Sequence, residues 1–149
     1  MKALASVAGI ALALLLAAGC SKAPREAVAL APAKMNPTGQ KTTDAGGAVT
    51  FWGKGVLQSV VHIEKGPVTI TLRCRGNTVD NEAPIVMVEI EARVVGKLVI
   101  DSTETKDFSL ATNALNTGTT MLRLTFPNAK QGATPAQARA VRVEMVTVS

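Results

Sequence analysis

From residue 49 to the end of the chain, apolar and polar side chains alternate with a period of two. That period is what a strand with one buried face requires. In Val68-Thr69-Ile70-Thr71-Leu72-Arg73-Cys74 the apolar residues fall on one face and Thr69, Thr71 and Arg73 on the other. A helix would scatter them around its circumference. The spacing predicts strands over 49–52, 56–63, 68–75, 85–95, 97–103, 107–110, 121–126 and 141–148. Turn residues lie between them at Lys65-Gly66-Pro67, Gly76-Asn77, Asn116-Thr117-Gly118 and Pro127-Asn128, and the gap at Gly96 reads as a hairpin. One short turn is expected over 135–139. Seven or eight short antiparallel strands at this spacing predict an all-β fold, a β-sandwich over 49–149. Val86, Val88, Ile90, Ala92 and Val94 should point inward, with Ile85, Met87, Glu89, Glu91 and Arg93 opposite. Likewise Leu122, Leu124 and Phe126 should face the core, and Met121, Arg123 and Thr125 solvent. A domain of this size buries roughly 65% of its unfolded surface, enough to stand without metals or disulfides.

The beginning of the chain has a different character. Met1-Lys2 is followed by an uncharged stretch of Ala, Leu, Val and Ile up to Ala18, too short to span a bilayer and suited to a signal peptide. It closes as Leu15-Leu16-Ala17-Ala18-Gly19-Cys20-Ser21, which resembles the lipobox of bacterial lipoproteins. That resemblance implies cleavage after residue 19, acylation of Cys20 and, with more than one acyl chain, stable attachment to a membrane. Ser21 after the cysteine resembles an outer-membrane sorting pattern, favouring the outer membrane or cell surface. Residues 20–48, with Pro24, Pro32, Pro37 and Gly46-Gly47, carry no lasting period and read as a flexible tether with a reach of roughly 30 Å. With Cys20 acylated, Cys74 has no partner for a disulfide, and its strand places it among core residues as an inert thiol.

Composition removes several functions. Two cysteines and one histidine cannot make a four-ligand zinc site of Cys and His. His62 has no sequence-local nucleophile or orienting acid, and Glu89 and Glu91 share an outward strand face where they balance Arg93, so an enzyme is not expected. The formal charge of +5, reduced to +4 by loss of Lys2, suits an anionic partner, but no aromatic residues are interleaved with the arginines as nucleic-acid stacking requires.

Several segments from Trp52 onward occur in the order found in the calcium-dependent, xylan-binding type of carbohydrate-binding module, which the domain resembles. They are Phe51-Trp52-Gly53-Lys54-Gly55-Val56-Leu57, Val68-Thr69-Ile70-Thr71-Leu72-Arg73-Cys74-Arg75-Gly76, Glu82-Ala83-Pro84-Ile85-Val86, Val99-Ile100-Asp101-Ser102, Leu115-Asn116-Thr117-Gly118 running to Phe126-Pro127-Asn128, and Arg139-Ala140-Val141. The resemblance implies a jelly-roll-like β-sandwich and polysaccharide binding by Trp52, Asp80, Asn81, Glu82, Asn128 and Arg139. Family aspartates that ligate calcium are replaced by Ala129 and Ala138, and a family tryptophan by Ala83. A calcium site would have to draw on Asp80, Glu82 and Asn128. Either Phe51 or Trp52 should seal the end of the sandwich.

The expectation is thus a non-catalytic, lipid-anchored envelope protein that binds a glycan, its basic residues suiting an acidic polysaccharide. The alternative is a degenerate module serving as a scaffold for another envelope protein. Cys20→Ser should shift the full-length protein from the membrane to the soluble fraction on cell fractionation; unchanged membrane association would refute lipidation.

Overall fold

The computed structural model describes residues 25–149. The expected signal peptide, Cys20 and the first residues of the expected tether lie outside the described residues. Among the described residues, nine antiparallel strands form the domain: β1 (Val28–Leu30), β2 (Thr38–Thr43), β3 (Val49–Ile63), β4 (Gly66–Gly76), β5 (Ile85–Ile90), β6 (Arg93–Val99), β7 (Lys106–Ala114), β8 (Gly118–Phe126) and β9 (Val141–Val148). The hydrogen-bonded order is β6-β5-β8-β3-β9-β4-β7, with β1 beside β9 and β2 beside β3. The expected all-β sandwich is therefore present.

The 15-residue β3 joins the two layers. Its first residues, Val49 to Phe51, pair with β9, and Gly55 to Ile63 pair with β8. The expected strands 49–52 and 56–63 are one strand that changes partner between them. Gly55 permits the change, because a Cβ there would lie 2.2 Å from the Phe51 ring. The ring stacks on Phe126 at 4.3 Å between centroids and 17° between planes, and both are fully buried. Around them one layer contributes Leu57, Val88, Leu122 and Leu124, and the other Ile70, Leu72, Val143 and Val146. Each such side chain removed from water contributes about 1.5–3 kcal/mol before conformational entropy is counted. Cys74 lies in this core, where burial first, and then Asp107 and Glu144, push its thiol up to about 12.

Three expectations need correction. Residues 28–48 are not a free tether: β1 and β2 pair with β9 and β3, Met35 is buried, and the Met35 carbonyl accepts the Gln58 N–H at 2.8 Å. Every β2 side chain is exposed or half-buried, so this strand carries no period-two signature. Gly96 is not a hairpin turn. It lies inside β6, and a Cβ would meet Leu110 of β7 at 2.8 Å. The chain instead reverses at Glu91-Ala92, whose φ angles of 52° and 56° suit a type I′ turn. Consequently Ala92 and Val94 are exposed rather than inward, and Glu91 does not share the outward face of Glu89.

Left-handed backbone costs a non-glycine residue roughly 1–2 kcal/mol. Hydrogen bonds offset it: the Glu91 carboxylate accepts the Leu115 and Asn116 N–H groups at 2.9 and 2.8 Å, and Thr120 Oγ1 accepts the Glu91 N–H. Arg93 completes the clamp as an ion pair with Glu91 at 3.5 Å. The Leu115 N–H, then the Asn116 groups and Arg93, hold the Glu91 carboxyl below its ordinary value of 4.5 despite opposing desolvation. A depressed carboxyl contributes stability above its unfolded value and loses it as pH falls through its folded value. Glu91→Gln should therefore lower the urea midpoint at neutral pH and flatten the decline in stability below pH 4.5, measured by chemical denaturation from pH 7 to pH 3. An unchanged pH profile would remove Glu91 as the clamp.

Candidate functional site

Asp80 and Asn81, with φ of 56° and 60°, form a tight reversal closed by the Val79–Glu82 bridge. The 127–140 segment comes back beside it through the Lys130–Arg139 bridge. Asp80, Glu82 and Asn128 thus gather at one end of the sandwich, around the Arg139 guanidinium. Arg139 Nη2 lies 2.8 Å from Glu82 Oε2 and donates to the Val79 carbonyl at 3.0 Å; Nη1 donates to the Asn128 carbonyl at 3.1 Å. Arg139 is buried, with Nε unpartnered. It sews two loops together. Asn128 also clips them: its Oδ1 accepts the Ile85 N–H at 2.7 Å and its Nδ2 donates to the Ala83 carbonyl at 3.0 Å. Asp80 meets Lys130 Nζ at 2.7 Å, and that bond holds its carboxyl below the usual carboxylate range.

This donor set does not fit calcium. The ion takes six to eight oxygens at 2.3–2.6 Å, as a rule with carboxylates among them (about these values across proteins). Here Asp80 and Glu82 already face cations, Asn128 Oδ1 is committed to a backbone N–H, and alanines stand at 129 and 138. No cluster of three or more His, Cys, Asp or Glu suited to a metal occurs among the described residues.

Trp52 belongs to a different surface. Alternation along β3 turns Phe51 into the core and Trp52 to the outer face, so Phe51, not Trp52, does the sealing. Trp52 is half-buried in a cleft of about 340 Å³ that also includes Thr42, Thr50, Asn77, Gln131 and Ala140. The far wall comes from the same 127–140 loop that Arg139 holds. Ala138 and Ala140, on either side of Arg139, line the cleft while the arginine points away into the loop knot. Nothing in the sequence pattern marks Thr42, Asn77 or Gln131 as cleft residues. Thr50 alone had a signal, its i, i+2 relation to Trp52.

His62 is an exposed β3 residue opposite Thr119. Glu89 lies on β5 opposite Arg123 of β8.

No protein-family model and no curated protein matches the sequence. Solved structures do match the fold. The CBM36-1 domain of a multidomain xylanase from the hindgut metagenome of Trinervitermes trinervoides aligns with a TM-score of 0.66 at 18% identity, covering 83% of this chain and 97% of that domain. A carbohydrate-binding module CBM36 in complex with calcium and xylotriose gives 0.63 at 12% identity, covering 82% and 99%. The C-terminal CBM6 of a marine laminarinase from Zobellia galactanivorans gives 0.62 at 10%, covering 83% and 99%. The described domain has the β-sandwich fold of these carbohydrate-binding modules.

Removing the Arg139 guanidinium takes the donors from the Asn128 and Val79 carbonyls and leaves these acceptors unsatisfied. Arg139→Gln should lower stability by about 2–3 kcal/mol in denaturant unfolding, whereas a chelator should leave the unfolding curve unchanged. A shift on adding and removing calcium would contradict this reading of the loops.

Proposed function

We propose that this chain is a non-catalytic glycan-binding module, held in the bacterial envelope through acylated Cys20, with its sugar site in the Trp52 cleft. The observation that carries the reading is Trp52 itself, the sole tryptophan, set half-buried among hydroxyl and amide side chains. An indole face offers apolar area to the C–H face of a sugar ring. Thr42, Thr50 and Gln131 supply donors and acceptors for hydroxyls around it. The fold shared with carbohydrate-binding modules supports the same reading. The polar loop around Arg139 then supports the cleft wall rather than touching sugar.

The rival reading, a scaffold that keeps the fold without the sugar, draws on one observation. Val60 and Met121 are opposite each other on β3 and β8 and are exposed by 59% and 42%, an apolar pair on the layer away from the cleft.

A glycan array probed with the full-length protein, followed by isothermal titration calorimetry with the polysaccharides retained, separates the two. The glycan reading expects saturable binding, insensitive to chelator, weakened at least about tenfold by Trp52→Ala with the melting temperature unchanged; tenfold corresponds to about 1.4 kcal/mol. Silence across the array, or affinity that survives Trp52→Ala, favours the scaffold.

A further inference from the structure

The outer face of the second layer carries an arrangement that packing alone does not favour. Thr42, Thr50, Arg142 and Arg75 are successive cross-strand partners on β2, β3, β9 and β4. Arg142 and Arg75 are thus direct antiparallel neighbours, and like charges in that relation repel. Arg142 is neutralised. Its guanidinium pairs with Asp44 Oδ2 and with Glu144 Oε1, the latter at 3.5 Å. Asp44 is fixed in turn, its Oδ1 accepting the Ala48 N–H at 3.0 Å. Two further acids, on β7 and β9, are also engaged, Asp107 with Arg73 and Glu144 with both Arg73 and Arg142. Arg75 is exposed, and among the described residues its guanidinium has no carboxylate partner.

Both arginines line a groove of about 340 Å³ with Thr50, Asn77, Thr103 and Ala140. Three of these, Thr50, Asn77 and Ala140, also line the Trp52 cleft. The two depressions are one continuous surface. Thr50 and Trp52 are two residues apart on β3, so their rows are separated by about 7 Å, a distance on the scale of one sugar residue. A chain laid with one ring on Trp52 would present the substituent of an adjacent residue to the arginines.

We propose that this groove is an anion subsite, which binds a carboxylate or sulfate carried by the same polysaccharide whose ring stacks on Trp52. The inference rests on the glycan reading above and adds the substrate class: an acidic polysaccharide. A planar guanidinium donates two parallel N–H bonds to either anion, which an ammonium does not. Arg142, oriented by Asp44 and Glu144, shapes one wall; Arg75 supplies the uncompensated charge.

The test uses two pairs of polymers that differ in charge, polygalacturonate against its methyl ester and dextran sulfate against dextran, titrated into full-length protein at low ionic strength. The charged member of at least one pair should bind about tenfold more tightly than its neutral partner, and which pair responds distinguishes carboxylate from sulfate. Arg75→Gln should abolish that preference without changing the melting temperature, and Arg75→Lys should restore it only in part. Arg123→Gln, on the outer face of β8, controls for net charge and should have no effect. Equal loss in Arg123→Gln would reduce the effect to bulk charge and overturn the subsite. Equal binding of charged and neutral members, still lost in Trp52→Ala, would overturn the subsite and leave the glycan reading standing. Failure to bind any of the four polymers would also overturn it, while the array decides the glycan reading separately.

Discussion

The stack of Phe51 on Phe126 is the contact from which the rest of the domain follows. It joins a residue of the β3 half that pairs with β9 to the last residue of β8, and so ties the two layers at the point where β3 passes between them. With Phe51 turned inward, the pleat leaves Thr50 and Trp52 no choice but the outer face. β9 and β4 then extend that face, bringing Arg142 and Arg75 into line with Thr50. A polar and aromatic surface is thereby built as the reverse side of a core contact. Gly55 belongs to the same arrangement, since only the absence of its side chain lets the ring lie across the strand.

What could be read from the sequence divides along physical lines. Strands with one buried face announced themselves: Val68, Ile70, Leu72 and Cys74 are all core residues, and so are Leu122, Leu124 and Phe126. Strands without a buried face do not, and β2, exposed or half-buried throughout, has no pattern that separates it from a tether. The hairpin at Glu91-Ala92 was also hidden, because the usual turn residues are absent and its left-handed backbone is stabilised by N–H groups from positions 115 and 116. Gly96 drew attention as a turn because glycine commonly marks one; its real constraint is Leu110 of a strand distant in sequence.

Of the candidate site, the sequence shows the residue types and not their surroundings. Trp52, Asp80, Glu82, Asn128 and Arg139 all lie at one end of the sandwich, but they split between a cleft and the knot that supports its wall. The difference turns on which groups are already satisfied. A buried guanidinium surrounded by carbonyls and a carboxylate is a structural cation, and it makes its carboxylate unavailable to a metal. Such compensation depends on pairings across 50 to 60 residues of chain, as in Lys130 with Asp80 and Arg139 with Val79, and leaves no local mark.

The pairing of β1 with β9 has a directional consequence. Val28 lies opposite Val148, at the finishing end of β9, whereas the cleft begins at Ala138 and Ala140, just before β9 starts at Val141. Eight extended residues, about 25 Å of strand, separate the two. An anchor at Cys20, as proposed above, would attach to the chain on the side of Arg25 and Val28, the pole remote from the cleft. Trp52 and the arginines would then face away from the point of attachment. A pull along the chain would load the β1–β9 hydrogen bonds in that remote region before it reached the strands that carry the cleft.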